Sequence, residues 1–184
     1  MYLVGEGAGY ANTLGFTTDG NGRASSSSAK LIFPNASSRV SSYDPKSSVK
    51  RTASEPLLPG DFADLGKFKS GTALDFFLVA NGANGGRDVF STQKSANPDG
   101  INHVVSFAYA QKNSPYLIIG FEDLFGGGDR DFNDLIFAVD IGAINVGALT
   151  ATPEPATYAS MAAFLGLGAV LVRRRNGTPN VSIA

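Results

Sequence analysis

Apolar residues fall in short runs separated by Gly, Asn, Ser and Pro, and this spacing predicts β-strands rather than helices. Tyr2 to Phe16 reads as strand, turn, strand, and residues 19–28 (DGNGRASSSS) read as a loop. Lys30 to Pro34 is a short strand, and the Ser- and Pro-rich stretch from Asn35 to Pro59 is a long surface excursion. Asp61 to Lys69 reads as a short strand and Leu74 to Val79 as a stronger one, closed by the turn NGANGG at 81–86. His103 to Ala110 and Tyr116 to Phe121 follow, with the turn KNSP between them. Leu135, Phe137 and Val139 share one face of a last strand by period two. No helical period occurs before residue 156. The expected fold is therefore all-β, a β-sandwich or jelly-roll-like domain over residues 1–142. Residues 143–152 read as a linker.

A different pattern begins after Thr152. Pro153, Glu154 and Pro155 precede an uncharged segment, 156–172, and Arg173, Arg174 and Arg175 follow it directly. Seventeen residues are just enough to cross a hydrocarbon core of roughly 30 Å. The arginine cluster would hold the C-terminus on the cytoplasmic side and leave the domain outside. The expected element is a single C-terminal transmembrane helix, with residues 176–184 as a polar tail. The order of parts in TPEPATYASMAAFLGLGAVLVRRR resembles the PEP-CTERM sorting signal, here spanning residues 153–175. That resemblance implies an exported chain held transiently in the membrane. Exosortase would be its partner, with Pro153, Glu154 and Pro155 as the recognition element, and the cell surface or extracellular matrix its destination. The polar tail is longer than such signals usually carry. Export also requires a signal peptide. Met1 leads straight into YLVGEG with neither a basic region nor a long apolar one, so a start further upstream, or a longer parent chain, is expected.

Composition removes several function classes. The 184 residues include no Cys, no Trp and a single His, His103. Disulfides, thiolate metal sites and cysteine nucleophiles are excluded, and a multi-His metal centre with them. A formal net charge of −1 gives no electrostatic case for nucleic acid. There is no G-x-S-x-G motif, so nothing places a serine beside His103, whose expected role is structural. The chain is expected to be non-enzymatic.

The candidate chemistry lies in GFEDLFGGGDRDFNDLIF, residues 120–137. Glu122, Asp123, Asp129, Asp131 and Asp134 are offset in charge only by Arg130, and Asn133 adds a neutral oxygen. If the flanking strands pair as a hairpin, Glu122 and Asp123 end one strand beside the point where Asp134 begins the next. In an extended segment Asp129, Asp131 and Asn133 would face one way. Two carboxylates about 5 Å apart repel by roughly 3 kcal/mol at an effective dielectric of 20, a cost that a hard cation removes. Calcium, with six to eight oxygen ligands in loose geometry, suits such a set better than magnesium. The spacing fails as an EF-hand, because Asp134 stands where that loop needs Gly and Asp140 where it needs Glu. The alternative is a structural turn, with the Asp and Asn side chains capping backbone N–H groups and Arg130 paired to a carboxylate.

FEDLFGGGDRDFND also resembles the signature of a bacterial family of extracellular β-domains, the domain of unknown function 4114. GEGAGYANTLGF at 5–16, FKSGTALDFFL at 68–78 and DGINHVVSFAY at 99–109 are similar to that family too. The resemblance implies a module of secreted or surface proteins, often beside adhesin-like units, and brings no reaction with it. Three functions stay open: a calcium-binding matrix protein, which is favoured; a calcium-dependent carbohydrate- or peptide-binding module, with exopolysaccharide as a possible partner; and an enzyme.

Overall fold

The computed structural model describes residues 1–37, 57–109 and 113–150. The chain order is β1 (Tyr2–Gly5), β2 (Thr13–Thr17), β3 (Lys30–Phe33), β4 (Asp75–Val79), β5 (Val89–Ser91), β6 (Val104–Ala108), β7 (Tyr116–Phe121), β8 (Leu135–Asp140) and α1 (Ala143–Thr150). The strands form two four-stranded antiparallel sheets, ordered β1-β8-β7-β6 and β3-β2-β4-β5. They face each other as a sandwich, with Phe76 of β4 against Phe137 of β8 at 5.1 Å between ring centroids. Phe137 also stacks near Phe121 of β7 at 6.0 Å. Leu3, Leu14, Phe16, Phe33, Leu78, Phe90, Ile119 and Leu135 complete the core. Burial of these side chains is the main driving force for closing one sheet on the other, worth about 1.5–3 kcal/mol for each large residue.

The period-two reading holds best in β7 and β8, where Leu117, Ile119 and Phe121 pair with Val139, Phe137 and Leu135 on the inner face. Strands β2 and β4 sit in the middle of their sheet and are almost wholly buried. Phe77 is covered on the outer side, under Gly15. A side chain at Gly15 would meet that ring and also the Lys30 carbonyl at 2.8 Å.

Two sequence expectations give way here. Asp61 to Lys69 is not a strand: only Phe62 bridges, to Tyr2. The segment instead runs along the edge of β1. Leu3 N–H donates to the Asp61 carbonyl (2.8 Å), Gly60 N–H to the Leu3 carbonyl (2.8 Å) and Ala63 N–H to the Met1 carbonyl (2.9 Å). Gly60 and Gly66 at positive φ prevent a continuous extended run. Residues 143–150, expected within a linker, form helix α1. The helix has no clean amphipathic stripe: Val146 is buried while Ile144 is 89% exposed, so the periodicity that would announce it is absent. Strand β5 was not anticipated either, being only three residues long.

The sorting signal, with Pro153, Glu154, Pro155, Arg173, Arg174, Arg175 and the segment 156–172, lies outside the described residues. Among the described residues no helix is long and apolar enough to cross a membrane.

Candidate metal centre

Strands β7 and β8 form the expected hairpin, with Phe121 opposite Leu135. The loop between them cannot stay extended. Gly126, Gly127 and Gly128 all take positive φ, as do Arg130 (63°) and Phe132 (55°). Two non-glycine residues in the left-handed region mark a backbone held by its surroundings. One such hold is at Gly120 on β7, where the Phe132 carbonyl packs so closely that a side chain would collide with it. Another is the hydrogen bond from Gly7 N–H to the Asn133 carbonyl, 3.0 Å.

This winding sorts the five predicted carboxylates into two groups. Glu122, Asp129 and Asp131 form the first, with one carboxylate oxygen from each lying within 4.8 Å of the others. Glu122 is buried, at 1% exposure. One of its oxygens accepts the Phe132 N–H at 2.7 Å, and the other lies close against Gly128. Burial raises the Glu122 carboxyl above its ordinary range, and the charges of Asp134, Asp129 and Asp131 add to the rise. The second group is Asp123 with Asp134. Asp123 N–H donates to Asp134 Oδ2 at 2.8 Å, and Asp123 Oδ2 accepts from Asn12 Nδ2 at 2.7 Å. Burial pushes Asp123 up to about 6; the Asn12 hydrogen bond opposes the rise, and the Asp134 and Glu122 charges add to it. Asp134 is raised as well, by burial first and then by Asp131 and Asp129.

Asn133 meets the first group through Asp131. Its amide donates to Asp131, and its oxygen faces Gly7, where an added methyl group would come within 2.5 Å of it. Asp129, Asp131 and Asn133 are not brought together by an extended segment, because Arg130 and Phe132 are left-handed; Asp129 and Asp131 still converge, and the Asn133 amide donates to Asp131. Among the described residues Arg130 makes no ion pair with these carboxylates. Its side chain lies beside Gly127.

Residues far away in sequence brace the loop. His103 is fully buried and stacks on Phe90 at 3.9 Å between ring centroids. Its Nδ1 lies 3.2 Å from the Glu122 carbonyl and its Nε2 2.8 Å from Asp99 Oδ2. Asp99 also accepts the Gly126 N–H at 2.8 Å. Gly7, Asn12, Asp99 and Gly120 were not singled out as site residues. The available signal was that GEGAGYANTLGF and DGINHVVSFAY carry three of them, and those stretches prove to surround the acidic loop.

Beside the loop is an open cleft of about 550 Å³ whose lining includes Tyr10, Arg87, Asp88, Asp123 and Phe125. Three carboxylates at this spacing, one of them buried, can hold a cation through hard oxygen donors. No curated protein and no solved structure matches the chain. Residues 68–142, which carry β4 to β8 and the whole acidic loop, match the family model described as a domain of unknown function, DUF4114.

Proposed function

We propose that this protein is an exported, non-enzymatic component of the cell surface or extracellular matrix, whose acidic loop is closed by a calcium ion. The observation that carries the metal reading is the convergence of Glu122, Asp129 and Asp131 within 4.8 Å, with Glu122 buried. Holding three negative charges this close is unfavourable without a cation, and burial of Glu122 raises the cost further. All the donors are oxygen, which favours calcium over zinc or copper. Backbone carbonyls and water would supply the remaining ligands. The Asp123–Asp134 pair lies next to this group and would be drawn toward its charged form when the ion binds. Export, transient membrane anchoring and processing by exosortase rest on the Pro153-Glu154-Pro155 motif, the uncharged segment and the arginine cluster.

The test is thermal unfolding of the full chain in mild detergent, with calcium and with chelator. Calcium at a hundred times its dissociation constant adds about 2.7 kcal/mol. For a domain of this size that is about 5–10 °C. The shift is expected in the parent and is expected to vanish in Asp129→Ala and Asp131→Ala. No shift in the parent would leave the loop as a turn shaped by hydrogen bonds alone.

The cleft beside the loop favours a second reading, a calcium-dependent carbohydrate- or peptide-binding module. Tyr10 and Phe125 offer aromatic surface there, and Arg87 and Asp88 offer polar contacts. Glycan binding that is lost with chelator while the fold persists would select it.

A further inference from the structure

The four edges of the sandwich are not alike. The free edge of β1 is covered by the segment around Asp61, through the backbone hydrogen bonds of Leu3. The edge of β5 is capped by Asn97, whose amide accepts the Ser91 N–H at 2.6 Å and donates to the Ser91 carbonyl at 3.3 Å. Strand β3 carries Lys30 and a register shift against β2. These are the usual devices that keep an edge from pairing with another chain.

Among the described residues strand β6 has no hydrogen-bonded cover, although helix α1 packs beside both it and β7. Val104–Ala108 (VVSFA) contains no charge and no Pro, and its register against β7 is unbroken from Val104↔Phe121 to Ala108↔Leu117. It is the last strand of its sheet. Its side chains are exposed on both faces, Phe107 at 57%. On the inner side an open cleft of about 350 Å³ runs between the sheets, lined in part by Val104, Ser106, Leu117 and Ile119.

The hydrogen-bond parity of the edge sets the register in which a second strand can pair with it. Tyr109 N–H donates to the Tyr116 carbonyl at 3.1 Å, and Glu122 N–H donates to the His103 carbonyl at 2.9 Å. Residues 103 and 109 thus turn their backbone groups toward β7. By alternation Val104, Ser106 and Ala108 turn theirs outward. An antiparallel second copy of β6, centred on Ser106, satisfies every one of these outward groups in both chains. Ser106 then faces Ser106 of the second copy, and Val104 faces Ala108. Val105 lies opposite Phe107, an aromatic–β-branched pair that favours strand association. No charged side chain opposes the contact, and the symmetry closes at two chains.

We propose that β6 is a self-association edge through which two copies of this chain pair, antiparallel about Ser106, into one continuous sheet. This stands independently of the calcium reading.

The test is sedimentation velocity of the full chain over a concentration series, in mild detergent so that segment 156–172 does not itself drive association. The parent is expected to reach twice the mass of one chain. Ser106→Pro removes an outward N–H that β7 does not use, and Phe107→Lys places like charges beside the symmetry axis. Both are expected to return the mass to that of one chain, while Leu31→Lys, on the β3 edge, keeps the parent's mass. Because the chain has no Cys, Ser106→Cys introduces a single thiol. Hydrogen-bonded antiparallel residues sit about 5.5 Å apart between Cα atoms, within disulfide reach. Mild oxidation is expected to convert Ser106→Cys to a covalent dimer and to leave Ser25→Cys, on an exposed loop, as single chains. Circular dichroism checks the fold, and if Ser106→Pro unfolds, Phe107→Lys carries the comparison. A parent that stays single at every concentration overturns the proposal. So does a dimer that survives both edge variants, or one that does not cross-link through Ser106.

Discussion

Asp123 carries a consequence that its neighbours do not. Its carboxyl is pushed up to about 6, by burial above all. The unfolded chain would hold that proton only near the ordinary Asp value of about 3.9. Between these two values the folded domain binds more protons than the unfolded chain, so stability falls as pH rises through them. In chelator, the melting temperature is therefore expected to climb as pH is lowered from 7 toward 5. Most acidic side chains held by partners behave in the opposite way. A cation in the neighbouring cluster favours the charged form of Asp123. The rise on acidification is accordingly expected to shrink in calcium. Melting curves at pH 7, 6 and 5, with calcium and with chelator, check both statements; a flat profile in chelator would remove the burial argument. The sequence made Asp123 look equivalent to Glu122, one residue away. What separates them is that Glu122 reaches the Phe132 N–H while Asp123 reaches Asn12, more than a hundred residues earlier.

At the scale of elements, the acidic loop depends on the strand beneath it. Gly120 lies on β7, and its missing side chain is where the Phe132 carbonyl sits. The Phe132 N–H is the group that holds Glu122. Gly120→Ala is expected to destabilise the domain by about 1–3 kcal/mol through overpacking. It is also expected to reduce the calcium-induced shift, because the loop must move off the sheet. Chemical denaturation with and without calcium measures both effects, and an unchanged calcium response would show that the loop does not need this seat. The hairpin itself was legible from the apolar runs on either side of the GGG stretch. The left-handed residues Arg130 and Phe132 were not, since neither residue type announces a positive φ. Helix α1 was missed for a related reason: its one buried position, Val146, leaves no repeating pattern to detect.

At the scale of the whole molecule, the proposed function assigns the folded domain and the C-terminal segment to different stages. On the proposed reading, the C-terminal segment would address the chain and the folded domain would act once it arrives. Replacing Pro153, Glu154 and Pro155 together by Ala is expected to leave the chain in the membrane fraction, with no loss of thermal stability in the sandwich. Fractionation of cells carrying an exosortase checks the first, and melting of the purified variant checks the second. Release at the parent's level would remove the sorting role of the motif. Dimerisation through β6 would double the number of acidic loops each unit presents, which would serve the proposed matrix role because paired weak contacts act together.

Local pattern determined much of this protein. The strands β2, β3, β4, β6, β7 and β8 were written in alternating or continuous apolar runs bounded by turn residues, and the all-β class follows from them. The stretch dense in carboxylates was equally plain, because charge concentration needs no fold to be seen. Tertiary structure decided what those features do together. It placed β1 and β2, neighbours in sequence, in opposite sheets. It set Glu122 with Asp129 and Asp131 and set Asp123 apart with Asp134 and Asn12. It buried His103 between Asp99 and the Glu122 carbonyl, and among the described residues it left β6 as the edge with neither a hydrogen-bonded cover nor a charge. These outcomes depend on contacts between residues distant along the chain. Sequence periodicity records only which face of an element is apolar, whereas the identity of the opposing surface is set by packing and by backbone hydrogen-bond parity.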